Sequence, residues 1–405
     1  MLDISKEQLI DTAKDMIQRL ESREIDLADT VATMASSVYS CPARFEEEKA
    51  KLFKRIPLML AASCELPDIG SYKAIEVVGV PVLLVRDTKD SVKAFVNSCT
   101  HRGSQLATGC GHAKKFTCPY HGWTFSADGK LLTVASGRVF GEVNKDKLGL
   151  ISLPALESAG LIWVVPDPQS EVTIDSFLHG IDHMLEGFNL KSWKFHEQRL
   201  LEGANWKLAF DAHMDFYHLP ILHKETFGPT ISNLAQYYFQ GPHQRLGLMS
   251  ENSVEQDSLQ TLKSIPPNEW PLEPMLFGEW IIFPNVSLNC FKAGERIMVI
   301  SQVLPGDTPE SSITIQTFLT EKPTNDDTLP QVQELVEFIG KVVGEEDLAM
   351  SRKQQAALSS GLIPEVLFGR NEYGLQEYYR WLGGCLSAHD DQELNMLFKN
   401  GGHIS

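Results

Sequence analysis

Five side chains of metal-binding type crowd one short stretch of this 405-residue sequence: Asp211, His213, Asp215, His218 and His223, all within NWKLAFDAHMDFYHLPILHKETF. Two neutral imidazoles and one carboxylate on one face of a divalent metal leave its other positions open to small molecules, so the choice among the three histidines decides the chemistry. On a continuous helix, residues five apart are rotated by about 140°, and His213 and His218 do not share a face. His218 and His223 are also five apart, but Pro220 breaks or kinks the helix between them and frees His223 to turn back toward the same ion. Asp215, three residues before His218, can accept the proton of the non-ligating imidazole nitrogen and fix the ring. A third ligand has to come from farther along the chain, where VVGEEDLAMSRKQQAALSSGL offers Glu345, Glu346 and Asp347. Composition does not separate these three. His213 reads equally as a pocket-lining polar group and as a satisfied core histidine.

A second donor set lies upstream. Cys99-Thr100-His101 is followed, after sixteen residues, by Cys118-Pro119-Tyr120-His121-Gly122-Trp123. Two thiolates and two imidazoles suit a structural zinc or a Rieske [2Fe–2S] cluster, in which both histidines bind one iron. Zinc sites commonly draw two sulfurs from one Cys-x2-4-Cys turn. Here each loop gives one sulfur and one imidazole, the distribution a cluster needs. Cys110 and His112 copy the Cys-x-His form, but only five residues separate His112 from Cys118, so this pair reads as structural or exposed. Gly103, Gly109, Gly111 and Gly122 permit tight loops whose N–H groups can face sulfur, and Trp123 shields the site.

Cys-x-His-Arg-Gly and Cys-Pro-Tyr-His-Gly-Trp resemble the Rieske signature of the aromatic-ring-hydroxylating, non-haem iron oxygenases, and ELPDIGSYKAIEVVGVPVLLVRD, AFVNSCTHRGSQL and FSADGKL extend the likeness. Asn205-Trp206-Lys207 and the following Asp-x-x-His-x4-His are similar to the catalytic-domain signature of the same family's alpha subunit, and FGRNEYGLQEYYRWL resembles its C-terminal helix. The resemblance implies that Cys99, His101, Cys118 and His121 hold the cluster. It also implies that His218, His223 and Asp347 hold a mononuclear Fe(II), that O2 is co-substrate, and that Asp215 is the catalytic bridge. A homotrimer is implied in which the cluster of one subunit faces the iron of its neighbour, with or without β subunits; a self-sufficient α trimer is slightly favoured. The position four before the bridging aspartate, often Asn in the dioxygenases, is Asp211 here.

The elements that must position these groups divide the chain. Residues 1–45 read as an N-terminal helical extension packing on the catalytic domain. Residues 46–165 read as an all-β Rieske domain of short strands with an Asp128-Gly129 turn. Residues 166–405 read as an α+β catalytic domain, helix-grip in type, with helical patterns at 173–190, 205–219 and 330–358 and an antiparallel sheet from runs at 278–289, 296–303 and 311–320. The polar stretch Ser250–Glu269 reads as a mobile loop over a site. Phe210, Asp211, Met214, Leu222 and Phe227, with the run near Phe277 and Ile282, suggest a pocket for an apolar, aromatic substrate; Asp211 could instead meet a cationic or hydroxylated group.

Bulk properties set outer limits. A formal net charge of -17 argues against nucleic acid and anionic membranes as partners. No apolar run spans a bilayer and the first residues lack a signal-peptide core, so a soluble, cytoplasmic protein is expected. Seven scattered cysteines argue against a disulfide framework. No Gly-x-Gly-x-x-Gly segment follows a strand and opens a helix, so electrons must come from a separate reductase or ferredoxin. The leading expectation is a terminal oxygenase that hydroxylates or demethylates its substrate. A quaternary-amine oxygenase, a Rieske carrier with an inactive appended domain, and a zinc-stabilised binding protein are the alternatives.

Overall fold

The computed structural model describes residues 2–88, 91–228, 231–248 and 254–402. Two compact units share the chain: Lys49–Ile174 with Leu190–Ser192 form one, and Met1–Glu48, Asp175–Asn189 and Trp193–Ser405 form the other.

The smaller unit is all-β around its sites. Val80–Thr88 is the centre of an antiparallel five-stranded sheet ordered 152–153, 91–96, 80–88, 71–77, 110–112. Val78 and Gly79, both at positive φ, make the two-residue turn between Ser71–Val77 and Val80–Thr88, the backbone a tight hairpin demands. The short strands Lys115–Thr117, Thr124–Ser126 and Leu131–Thr133 form a separate antiparallel sheet. Its last turn is closed at Gly129, which is at positive φ and gives its N–H to Ser126. Leu83, Val85, Phe95, Phe116, Phe125 and Leu131 pack into one core, and Cys99, Cys118 and Trp123 belong to it. The loops bearing the thiols are therefore anchored by apolar burial.

The larger unit is α+β. Its antiparallel seven-stranded sheet runs in the order 194–203, 312–320, 295–305, 286–293, 279–282, 243–248, 235–240. The β-like runs expected at 278–289, 296–303 and 311–320 all fall in it. Leu329–Lys341 lays Val332, Val336 and Ile339 on Ile297, Val299 and Phe318. Leu2–Ser22 buries Leu9, Ala13, Met16 and Ile17, spaced as a helix face requires.

Three expectations change. The extension 1–45 is not helical throughout: after Ser22 the chain turns extended, and Ala32–Ala35 pairs with Glu365–Phe368, a long-range contact that local pattern does not reveal. The stretch 205–219 is not one helix, because Trp206–Asp211 ends before the histidines and Leu219–Leu222 starts a new turn. Ser250–Glu269 is not simply a loop: Val254–Leu262 is helical and Pro267–Glu269 is a 3-10 turn, while 250–253 lie outside the described residues.

Candidate metal centres

The two loops of the smaller unit are built alike. Cys99 N–H donates to the Ser104 carbonyl (2.8 Å) and Gly103 N–H to the Cys99 carbonyl (2.8 Å); Cys118 N–H donates to the Trp123 carbonyl (2.7 Å) and Gly122 N–H to the Cys118 carbonyl (3.0 Å). Gly103 and Gly122 close these turns at φ of 78° and 70°, which an L side chain rarely adopts. Gly111, by contrast, lies on the strand Cys110–His112. Both thiols are buried, at 2 and 3% exposure, and the His101 and His121 rings lie 4.7 Å apart between centroids. Trp123 stacks on His101 at 4.8 Å with its plane within 10° of parallel.

The Nδ1 atoms of His101 and His121 are buried and have no hydrogen-bond partner. Orphaned acceptors of this kind cost free energy unless something binds them, so the donor set fits a bound cluster. Burial penalises both thiolates; N–H groups of His121 and Tyr120 still pull Cys118 below the usual thiol range, while Cys99, next to it, is pushed up. Cys110 is exposed, and His112 Nε2 is engaged with the Ile69 carbonyl (2.7 Å), so neither joins this set.

In the larger unit, Asn205 starts the short helix by accepting the Lys207 N–H (3.0 Å). Trp206 Nε1 and Lys207 Nζ both donate to Glu48 Oε2, at 2.9 and 2.6 Å in the interior. The helix ends at Asp211 and passes into turns, in which the Met214 and Asp215 N–H groups bond the Asp211 carbonyl and Asp215 Oδ1 takes the N–H groups of Tyr217 (2.7 Å) and His218 (3.3 Å). Pro220 then sits in the first turn of the next helical segment, where it lacks nothing. His218 and His223 thus flank a fresh turn, and the argument from a continuous helix is replaced by this break.

His218 Nε2, His223 Nε2 and Asp347 Oδ1 converge. The two nitrogens are 3.2 Å apart, and Asp347 Oδ1 lies 3.5 Å from His218 Nε2 and 3.2 Å from His223 Nε2. Cis ligands at about 2.1 Å from an octahedral ion stand about 3.0 Å from one another, so this triangle has the dimensions of a facial triad. Asp347 Oδ1 is buried and lacks hydrogen-bonding geometry to any partner, which again fits a bound cation. Each imidazole is held from behind by a carboxylate: His218 Nδ1 lies 3.3 Å from Asp215 Oδ2, and His223 Nδ1 lies 2.6 Å from Glu346 Oε2. Burial alone would lower His218, but Asp215 and Asp347 outweigh it and lift the imidazole to about 10. Burial pushes the nearby Glu372 carboxyl up, and Asp215 adds to the shift. The carboxylates of Asp215, Glu346 and Asp347 thus face the two imidazoles around the centre.

Asp347 is presented by a π-helical segment, Val342–Asp347, between Leu329–Lys341 and Leu348–Leu358. Widened turns of this kind often mark functional sites. Glu346 competed with Asp347 in the sequence; the structure gives it a different place, behind His223. Glu48 and Thr226 went unnoticed because no local pattern marks them.

The remaining pocket candidates separate. His213 Nδ1 engages Glu279 Oε1 (2.9 Å), which also accepts from Ser287 (2.7 Å), so this histidine is satisfied within the fold. Asp211 is turned onto the hydroxyls of Tyr379 (2.9 Å) and Tyr39 (3.1 Å), leaving no free oxygen edge for a substrate group; burial raises its carboxyl to about 7. Phe210 and Met214 are completely buried, Met214 accepting from Gln244 Nε2 (3.3 Å). Leu222 is partly exposed, and Phe227 stacks on His223 at 4.6 Å. Strand alternation points Ile282 with Trp280 to the sheet face opposite Glu279, and Phe277 gives its carbonyl to Arg245 (2.8 Å).

Each centre lies in a segment that matches a known family. Residues 57–139 match the Rieske [2Fe-2S] domain, and residues 190–388 match the ring hydroxylating alpha subunit catalytic domain. The chain is 26% identical over 341 residues to the carnitine monooxygenase oxygenase subunit of Acinetobacter baumannii, covering 82% of this chain and 86% of the relative. It is 32% identical over 196 residues to the glycine betaine monooxygenase oxygenase subunit of Chromohalobacter salexigens, a match spanning 48% of this chain and only 43% of that relative. Among solved structures, the quaternary ammonium Rieske monooxygenase CntA shares the fold, with a TM-score of 0.73 at 21% identity over 91% of this chain and 96% of CntA. No described helix is long and apolar enough to cross a membrane. With a Rieske [2Fe–2S] domain and a mononuclear-iron catalytic domain in one polypeptide, the chain belongs to the Rieske non-haem iron oxygenases as an alpha, catalytic subunit.

Proposed function

We propose that this chain is the terminal oxygenase of a multi-component system, that it takes electrons from a separate reductase or ferredoxin, and that its substrate is a cationic quaternary amine. Cys99, His101, Cys118 and His121 would hold the cluster; His218, His223 and Asp347 would hold the iron. When bound, the cluster supplies single electrons and the iron binds and activates O2. The protein keeps the imidazoles oriented through Asp215 and Glu346, and walls His223 with the Phe227 ring.

The relatives named for carnitine and glycine betaine carry the choice of substrate class. In a homotrimer, Asp215 would link His218 to a cluster histidine of the partner subunit. Oxygen uptake with NAD(P)H, an electron donor and a panel of quaternary amines, aromatic acids, aryl ethers and polycyclic arenes tests the proposal. Uptake coupled to product with the quaternary amines is expected, and coupling with arenes alone would overturn it.

A further inference from the structure

The two carboxylates behind the imidazoles are not equivalent. Glu346 makes the shorter contact, 2.6 Å to His223 Nδ1, and its Oε2 also accepts from Thr226 Oγ1 (3.1 Å). His223 is 1% exposed, fixed on one side by the Phe227 ring and at its far nitrogen by this carboxylate. Asp215 instead spends Oδ1 on two backbone N–H groups and stands 3.3 Å from His218 Nδ1 with Oδ2. Glu346 adjoins Asp347 on the same π-helical segment, so one backbone feature supplies both a ligand and the brace for another ligand.

We infer that Glu346 is the positioning residue that contributes most to retaining the metal, by locking the tautomer and orientation of His223, and that Asp215, the longer brace on His218, contributes less. A hydrogen-bonded brace of this kind typically changes metal affinity 10–100-fold (about) when removed. The inference rests on the assignment of His218, His223 and Asp347 as the iron centre.

Purified protein carrying its cluster is loaded anaerobically with Fe(II), challenged with a ferrous chelator, and assayed for iron against acid-labile sulfide; Co(II) substitution reports ligand geometry by its visible bands. E346Q is expected to bind Fe(II) about 10–100-fold more weakly, and T226V and D215N to shift the same way by less than E346Q, with the cluster spectrum unchanged in all three. Equal retention by E346Q and the parent, or a loss in D215N as large as in E346Q, overturns the inference. Should E346Q not accumulate as folded protein, T226V and E346D decide, unchanged retention in both being the contrary result. If the parent itself takes up no iron beyond its cluster, the metal-centre assignment fails instead, and the two failures are distinct.

Discussion

At the scale of single residues, Asp211 shows how a side chain of ligand type can serve the fold. Its carboxyl, raised from 3.8 to about 7 mainly by burial, binds a proton more tightly in the folded chain than in the unfolded one. The cost to the fold is therefore absent below pH about 4, grows as pH rises to about 7, and is fully present above that. D211N lacks this titration, so its stability relative to the parent should rise by about 1.4 kcal/mol per pH unit across that window. Thermal midpoints at several pH values between 4 and 8 check this; a constant difference would contradict it. Residue types and Pro220 point in the sequence to His218 and His223, which the fold brings together with Asp347, and paired Cys-x-His loops point to Cys99, His101, Cys118 and His121 as candidate donors. The phenol partners of Asp211, Tyr39 and Tyr379, lie 172 and 168 residues away in sequence, beyond any local rule.

At the scale of elements, two devices aim the ligands. The first is the clamp of Trp206 and Lys207 on Glu48, which fixes the helix preceding the histidines. Removing one partner of a buried ion pair strands the other charge, so E48A should cost about 3–5 kcal/mol in denaturant unfolding, and a loss under about 1 kcal/mol would contradict the clamp. The second is the π-helical turn at Val342–Asp347. Inserting one alanine after Gly344 adds a residue to the segment and would turn Asp347 by about 100° relative to the preceding helix. Helical circular dichroism should persist while Fe(II) retention falls; unchanged retention would show that the phase set by this turn is dispensable. The strands near 279–282, 286–293, 295–305 and 312–320 were legible from alternating apolar residues. The break after Asp211 and the π turn were not, because each is a local departure inside a helical pattern.

At the scale of the molecule, Met1–Glu48, Asp175–Asn189 and Trp193–Ser405 share one unit, with the cluster-type loops in the other. That return of the chain is invisible to local periodicity, which treats Ala32–Ala35 and Glu365–Phe368 as unrelated. The family's two-centre chemistry requires both units to be loaded in one polypeptide, and this is the claim on which every reading of the site depends. Iron and acid-labile sulfide, counted per chain in the parent and in H218A and D347A, test it most directly. The account predicts about three irons and about two sulfides in the parent, falling to about two irons with sulfide unchanged in either variant, and oxygen uptake abolished. A parent with two irons only, or variants that keep the third iron and full oxygen uptake, would contradict it.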